Sequence, residues 1–161
     1  MASVFWIKVV IFGTAGFLLS FIDARTFRLP HVLTLPLAGT GLLLSFLPEN
    51  GLTPGDAFLG FASGLFPLGL LSWKRPATFG FGDAVFAGAI GAFAGPAGLG
   101  TALVVGGFSA RVAFHLRKGE GFLPFGPFLA AGGMVGLLLL PFLRKLLGIL
   151  LLYGNIEYHL I

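Results

Sequence analysis

Two aspartates carry most of the chemistry this sequence offers. Asp23 follows an apolar run from Val4 to Ile22, and Asp83 precedes another that starts at Ala84. Two carboxylates brought within a few ångströms do not both ionise easily. One keeps its proton, the other stays a base, and the pair titrates as a unit. The base takes a proton from water; the acid polarises a carbonyl and then protonates a leaving amine. Such hydrolysis needs neither a metal nor a nucleophilic side chain, and the chain offers little for those routes. It has no Cys, which excludes disulfides, thiolate zinc, iron–sulfur clusters and a cysteine nucleophile. It has three His and no Gly-x-Ser-x-Gly. No metal or cofactor is expected.

Each aspartate also has a purely structural reading. Asp23 closes the first helix, where the negative end of the macrodipole disfavours a carboxylate. It is no cap there, and the alternative is a juxtamembrane residue partnered by Arg25 or Arg28. Asp83 heads a helix, where Asp is a favoured N-cap. The Gly80-Phe81-Gly82 stretch before it leaves the backbone free for unusual dihedrals and close approach of another segment. A short helix behind irregular backbone can start below the membrane surface and carry Asp83 into a wet, protein-lined cavity. His31 and His115 fall near the same face without an oriented carboxylate shell, which is too little for a metal site. Pro124-Phe-Gly-Pro127 reads equally as a re-entrant turn or as a helix start with Pro in its first turn.

The elements that position these residues follow from composition. Of 161 residues, 57% are hydrophobic and 10% charged, against about a quarter charged in soluble domains. The mean hydropathy is +0.99. A soluble core of this size could not bury so much apolar surface, so most of the solvent is lipid. The net charge of +4 then sets topology rather than binding nucleic acid. Apolar runs cover Val4–Ile22, Val32–Leu47, Ala57–Trp73, and an unbroken stretch from Ala84 to Ala110. Charge decides how that stretch folds. As one helix, 84–110 would be roughly 40 Å long. It would also place Arg111, Arg117 and Lys118 opposite Arg25, Arg28, Lys74 and Arg75, against the positive-inside rule. A hairpin turning at Gly95-Pro96 puts all of them on the cytoplasmic side, giving helices at about 84–94 and 97–115. A last span covers Phe125–Leu143. An apolar tail follows Arg144-Lys145, and its Tyr153, Tyr158 and His159 suit the interface. The expectation is an all-α polytopic membrane protein. It has about six transmembrane helices, a single membrane-embedded domain over residues 1–161, and both termini outside with Lys8, Arg144 and Lys145. The first run lacks an Ala-x-Ala cleavage site and reads as a retained helix, not a signal peptide. Asp23 and Asp83 then share the cytoplasmic face.

Three motifs resemble those of the type IV prepilin leader peptidases and archaeal preflagellin peptidases, membrane aspartyl peptidases of the Gly-x-Gly-Asp class. The first is Phe21-Ile-Asp23-Ala-Arg-Thr-Phe-Arg-Leu-Pro30-His-Val-Leu-Thr-Leu-Pro36. The second is Gly80-Phe-Gly-Asp83 with the small-residue helix up to Gly95. The third is Leu123-Pro-Phe-Gly-Pro-Phe-Leu-Ala130. The resemblance implies that Asp23 and Asp83 are the catalytic pair. It also implies that the substrate is a prepilin, pseudopilin or preflagellin, cut between its short basic leader and its apolar helix at the inner (cytoplasmic) membrane. Two positions depart from the family: Val85 stands where Lys is frequent, and His31 where Asn is common. Nothing here resembles the cysteine-bearing N-terminal domain of the larger bacterial members, which implies a peptidase-only form.

Two other functions fit the same residues. A non-enzymatic assembly or scaffold protein would bind pilin-like helices without cutting them, and would keep its function without either aspartate. A proton-coupled transporter would use the aspartates as a relay, although the sequence shows no internal repeat.

Overall fold

The structure, a computed structural model, describes residues 3–48, 50–75, 80–117 and 123–157. Pro76, Thr78, Lys118, Tyr158 and His159 lie outside the described residues, as do the side chains of Arg144 and Tyr153. The described residues form five helices and no strand: α1 (Ser3–Thr26), α2 (His31–Leu44), α3 (Pro54–Lys74), α4 (Phe81–Leu116) and α5 (Gly126–Glu157). Three of them, α1, α3 and α4, are long and apolar enough to cross a bilayer, and α2 and residues 126–142 are shorter apolar helices. The protein is an all-helical, multi-pass membrane protein.

The expected hairpin is present inside α4. Gly95 breaks the helical dihedrals with φ 69 and ψ −177, just before Pro96. Both arms then lie along α5: Gly133 faces Ile90 of the first arm, and Gly132 faces Ala102 of the second. With that break, the five helices contain six helical segments.

Small residues let these helices meet backbone to backbone, as in membrane bundles where burial from water drives nothing. Gly60 of α3 lies against Gly91 of α4, and Gly64 against Ala87, an antiparallel pairing. The second arm runs antiparallel to α5 through Gly98 with Gly136 and Gly106 with Phe128. The first arm of α4 is buried along nearly its whole length and forms the centre of the bundle. At one end Gly95 faces Leu52 and Asp56, and Leu52, Ala57 and Leu140 cluster. There Asn50 closes the α2–α3 loop. Its amide donates to the carbonyls of Ser45 and Leu47 and its oxygen accepts from Leu52.

Three expectations change. The last helix does not end at Leu143; α5 continues to Glu157 through Pro141. The second helix stops at Leu44, short of Leu47. Lys8, placed by the sequence among the outward-facing positives, is fully buried in the bundle. It shares one face of α1 with Phe12, Gly16, Leu19 and Asp23, a spacing of three or four residues that forms a single helical stripe.

Candidate active site

At the other end of the bundle a cavity of about 1230 Å³ opens between α1, the start of α2, both arms of α4 and the segment 123–125. Asp23 of α1 and Asp83 of α4 both line it, sixty residues apart in sequence. Ala110 and Phe114, from the far end of α4, line it too, which only the hairpin at Gly95 allows.

Asp23 lies on the buried stripe of α1, 4% exposed. The macrodipole of its own helix opposes a carboxylate there, but another helix supplies a partner. The backbone N–H of Gly126, at the start of α5, donates to Asp23 Oδ2 at 2.8 Å. The first N–H groups of a helix have no partner within it, so Asp23 caps α5 from across the bundle. The partners suggested by the sequence are not the ones used: Arg25 lies over the Phe21 ring, 4.2 Å from its centre, and Gly126 takes the carboxylate. Gly126 fits tightly, since a Cβ there would stand 2.8 Å from Asp23 Oδ2.

Asp83 is the third residue of α4, and Gly80 is the N-cap. The sequence offers Asp83 itself as the cap; in the structure its carboxylate reaches back instead. Oδ2 accepts from Gly80 N–H at 3.3 Å, and Asp83 N–H donates to Gly80 O at 3.1 Å. The helix starts earlier than the expected Ala84 because Phe81 and Gly82 already have helical geometry. Gly82 is needed for close approach: a Cβ would come within 2.5 Å of Leu29 O. The Leu29-Pro30-His31 turn thus leans on the Asp83 turn, and the His31 ring meets the Phe81 ring edge-on at 5.7 Å. His31 and Arg28 line the cavity, whereas Val85 is buried in the bundle.

The Pro-Phe-Gly-Pro segment resolves as a helix start with Pro127 in the first turn; Leu123, Pro124 and Phe125 form cavity wall. Among the described residues no three His, Asp or Glu cluster to hold a metal. The sequence contained no signal for Ala110 and Phe114 beyond the hairpin itself.

Fold and site together define a multi-pass membrane protein with two carboxylates converging in a cleft at one end. The type IV leader peptidase family matches residues 10–151, and the chain belongs to that family. It is 34% identical over 155 residues to a prepilin leader peptidase/N-methyltransferase of Pectobacterium carotovorum, covering 86% of this chain and 55% of that protein. It is 30% identical over 146 residues to a type 4 prepilin-like proteins leader peptide-processing enzyme of Escherichia coli, covering 83% of this chain and 54% of that protein. A prepilin leader peptidase/N-methyltransferase of Aeromonas hydrophila is 35% identical over 131 residues, covering 74% of this chain and 45% of that protein. The chain spans about half the length of these relatives. The comparison with solved structures gave no significant match.

Proposed function

We propose that this chain is an aspartic-type endopeptidase of the inner (cytoplasmic) membrane, acting through residues 1–161 as one peptidase unit. It removes the short basic leader from prepilin-like substrates, and Asp23 and Asp83 are the catalytic pair. The observation that carries this reading is that both aspartates line one cavity although they come from different helices. Membership in a leader peptidase family supports the substrate class.

The chemistry runs through water. One carboxylate removes a proton from a water molecule as its oxygen attacks the scissile carbonyl. The other, protonated, donates to the carbonyl oxygen. Collapse of the tetrahedral intermediate breaks the C–N bond, and a carboxyl proton passes to the leaving amine. The Gly126 N–H holds Asp23 and the Gly80 N–H holds Asp83, so neither needs to be ordered during the reaction. The cavity opens at the end where Arg25, Arg28, Lys74, Arg75 and Arg111 stand beside the helix termini. By the positive-inside rule that end is cytoplasmic, the side where a basic leader would lie.

Purified protein is mixed in detergent with a substrate carrying a basic leader and an apolar helix. Wild type releases the leader, and Asp23→Asn and Asp83→Asn do not, with unchanged thermal unfolding. Cleavage by either variant overturns the assignment of the pair. Failure of wild type on several such substrates moves the scaffold reading ahead.

A further inference from the structure

Phe27 stands where the fold alone would favour glycine. It follows the last residue of α1, with φ 54, and is the one non-glycine residue with positive φ among those described. Its N–H donates to Asp23 O at 2.8 Å. That is the bond of a left-handed helix cap, from the residue after the C-cap to the third residue from the end. Glycine adopts this conformation without strain, whereas a bulky side chain there is an outlier. The turn is held by Thr26, whose single hydroxyl proton is shared between Ile22 O at 2.8 Å and Arg28 O at 3.2 Å.

The strain secures no packing. Phe27 is 54% exposed, and it lines the cavity that holds Asp23 and Asp83. A membrane anchor would not need this backbone either, because the equally exposed Phe21 and Phe81 occupy ordinary helical positions. Backbone strain of this kind concentrates at functional sites. The turn therefore serves to hold an aromatic ring in the cleft, four residues beyond one of its carboxylates.

We propose that Phe27 contacts the substrate. Its ring packs against the first side chain after the scissile bond and makes the enzyme select an apolar residue there. This inference rests on the peptidase reading above. A substrate whose apolar helix follows the cut presents such a side chain next to the reacting bond. An exposed ring lining the same cavity gains from covering it.

The test crosses two enzymes with two substrates. The substrates are leader-plus-helix peptides in detergent, with Leu or Ala as the first residue after the cut. Wild type is expected to prefer the Leu substrate about tenfold in kcat/KM. Phe27→Gly is expected to lose about ten- to a hundredfold on the Leu substrate. It should bring the two substrates within about twofold of each other while unfolding at an equal or higher temperature. Phe27→Leu, which keeps an apolar side chain, should recover part of the preference. The proposal is overturned if Phe27→Gly keeps the wild-type preference, or if it loses both substrates equally with a lowered unfolding temperature. If wild type cuts neither peptide, the peptidase reading itself falls. That result differs from intact cleavage with unchanged selectivity, which removes the Phe27 proposal alone.

Discussion

Asp23 and Gly126, 103 residues apart, are joined by one hydrogen bond of 2.8 Å from the glycine N–H to the aspartate Oδ2. It ties the end of α1 to the start of α5. It also settles two local problems at once, since an unpaired N–H at a helix start and a buried carboxylate each need a partner. On the proposed assignment, capping and catalysis draw on the same side chain. Asp83 repeats the arrangement with Gly80.

The Gly126→Ala variant tests whether this bond positions the reaction. The new methyl would stand 2.8 Å from Asp23 Oδ2 and 3.0 Å from its Cβ and Cγ. Those atoms are not the tip of a long flexible side chain, so the carboxylate or the start of α5 must shift. A displacement near 1 Å at a reacting group costs on the order of a hundredfold in rate. The expected result is a kcat lowered about that much, with KM little changed. Overpacking one methyl costs about 1–3 kcal/mol of stability. Wild-type kcat in Gly126→Ala would show that the bond caps α5 and does nothing for catalysis.

At the opposite end, Gly95→Ala separates stability from chemistry. With φ 69 and ψ −177, Gly95 sits in a region that essentially only glycine occupies. A side chain there costs about 1–3 kcal/mol, and its Cβ would also stand 2.9 Å from Leu52 Cδ1. The thermal midpoint should drop. Below that midpoint kcat should hold, since Gly95 lies a full helix length from the carboxylates. A variant that keeps its midpoint would mean that the turn is not strained by a side chain. One that loses kcat while folded would mean that the hairpin transmits its geometry to the site.

Much of this was legible because lipid simplifies the code. Apolar runs gave the helices, and the basic residues at 25, 28, 74, 75 and 111 required the hairpin that Gly95 makes. Asp23 and Asp83 could be placed at one face by counting crossings. Their partners could not. Gly126 is remote in sequence and offers only a backbone N–H, which leaves no mark on composition, whereas the nearby Arg25 and Arg28 are the partners the sequence suggests for Asp23. Lys8 misled for the reverse reason. Near a terminus it reads as a topology signal, while its place on the Phe12–Gly16–Leu19–Asp23 stripe turns it into the bundle. The length of α5 was missed because Arg144-Lys145 looked like an end, although a helix continues through charges wherever no backbone feature stops it.

The hairpin carries the functional argument, because it puts both basic clusters on the side where the cavity opens. The absence of native Cys makes it directly testable. Single Cys variants at Arg75, Arg111, Gly55 and Ala97, all exposed positions, are reacted with a membrane-impermeant maleimide in sealed vesicles of known orientation. If α4 turns at Gly95, the Cys at 75 and at 111 label from the cytoplasmic side, and those at 55 and 97 from the other. If α4 crossed once as a straight helix of 36 residues, positions 75 and 111 would label from opposite sides. In that case Ala110 and Phe114 could not stand in the same cavity as Asp83, and the cleft as described would not exist. Labelling of 75 and 111 together from the outer side would keep the hairpin and invert the protein. It would place both carboxylates away from a cytoplasmic leader and remove the substrate assignment while leaving the fold intact.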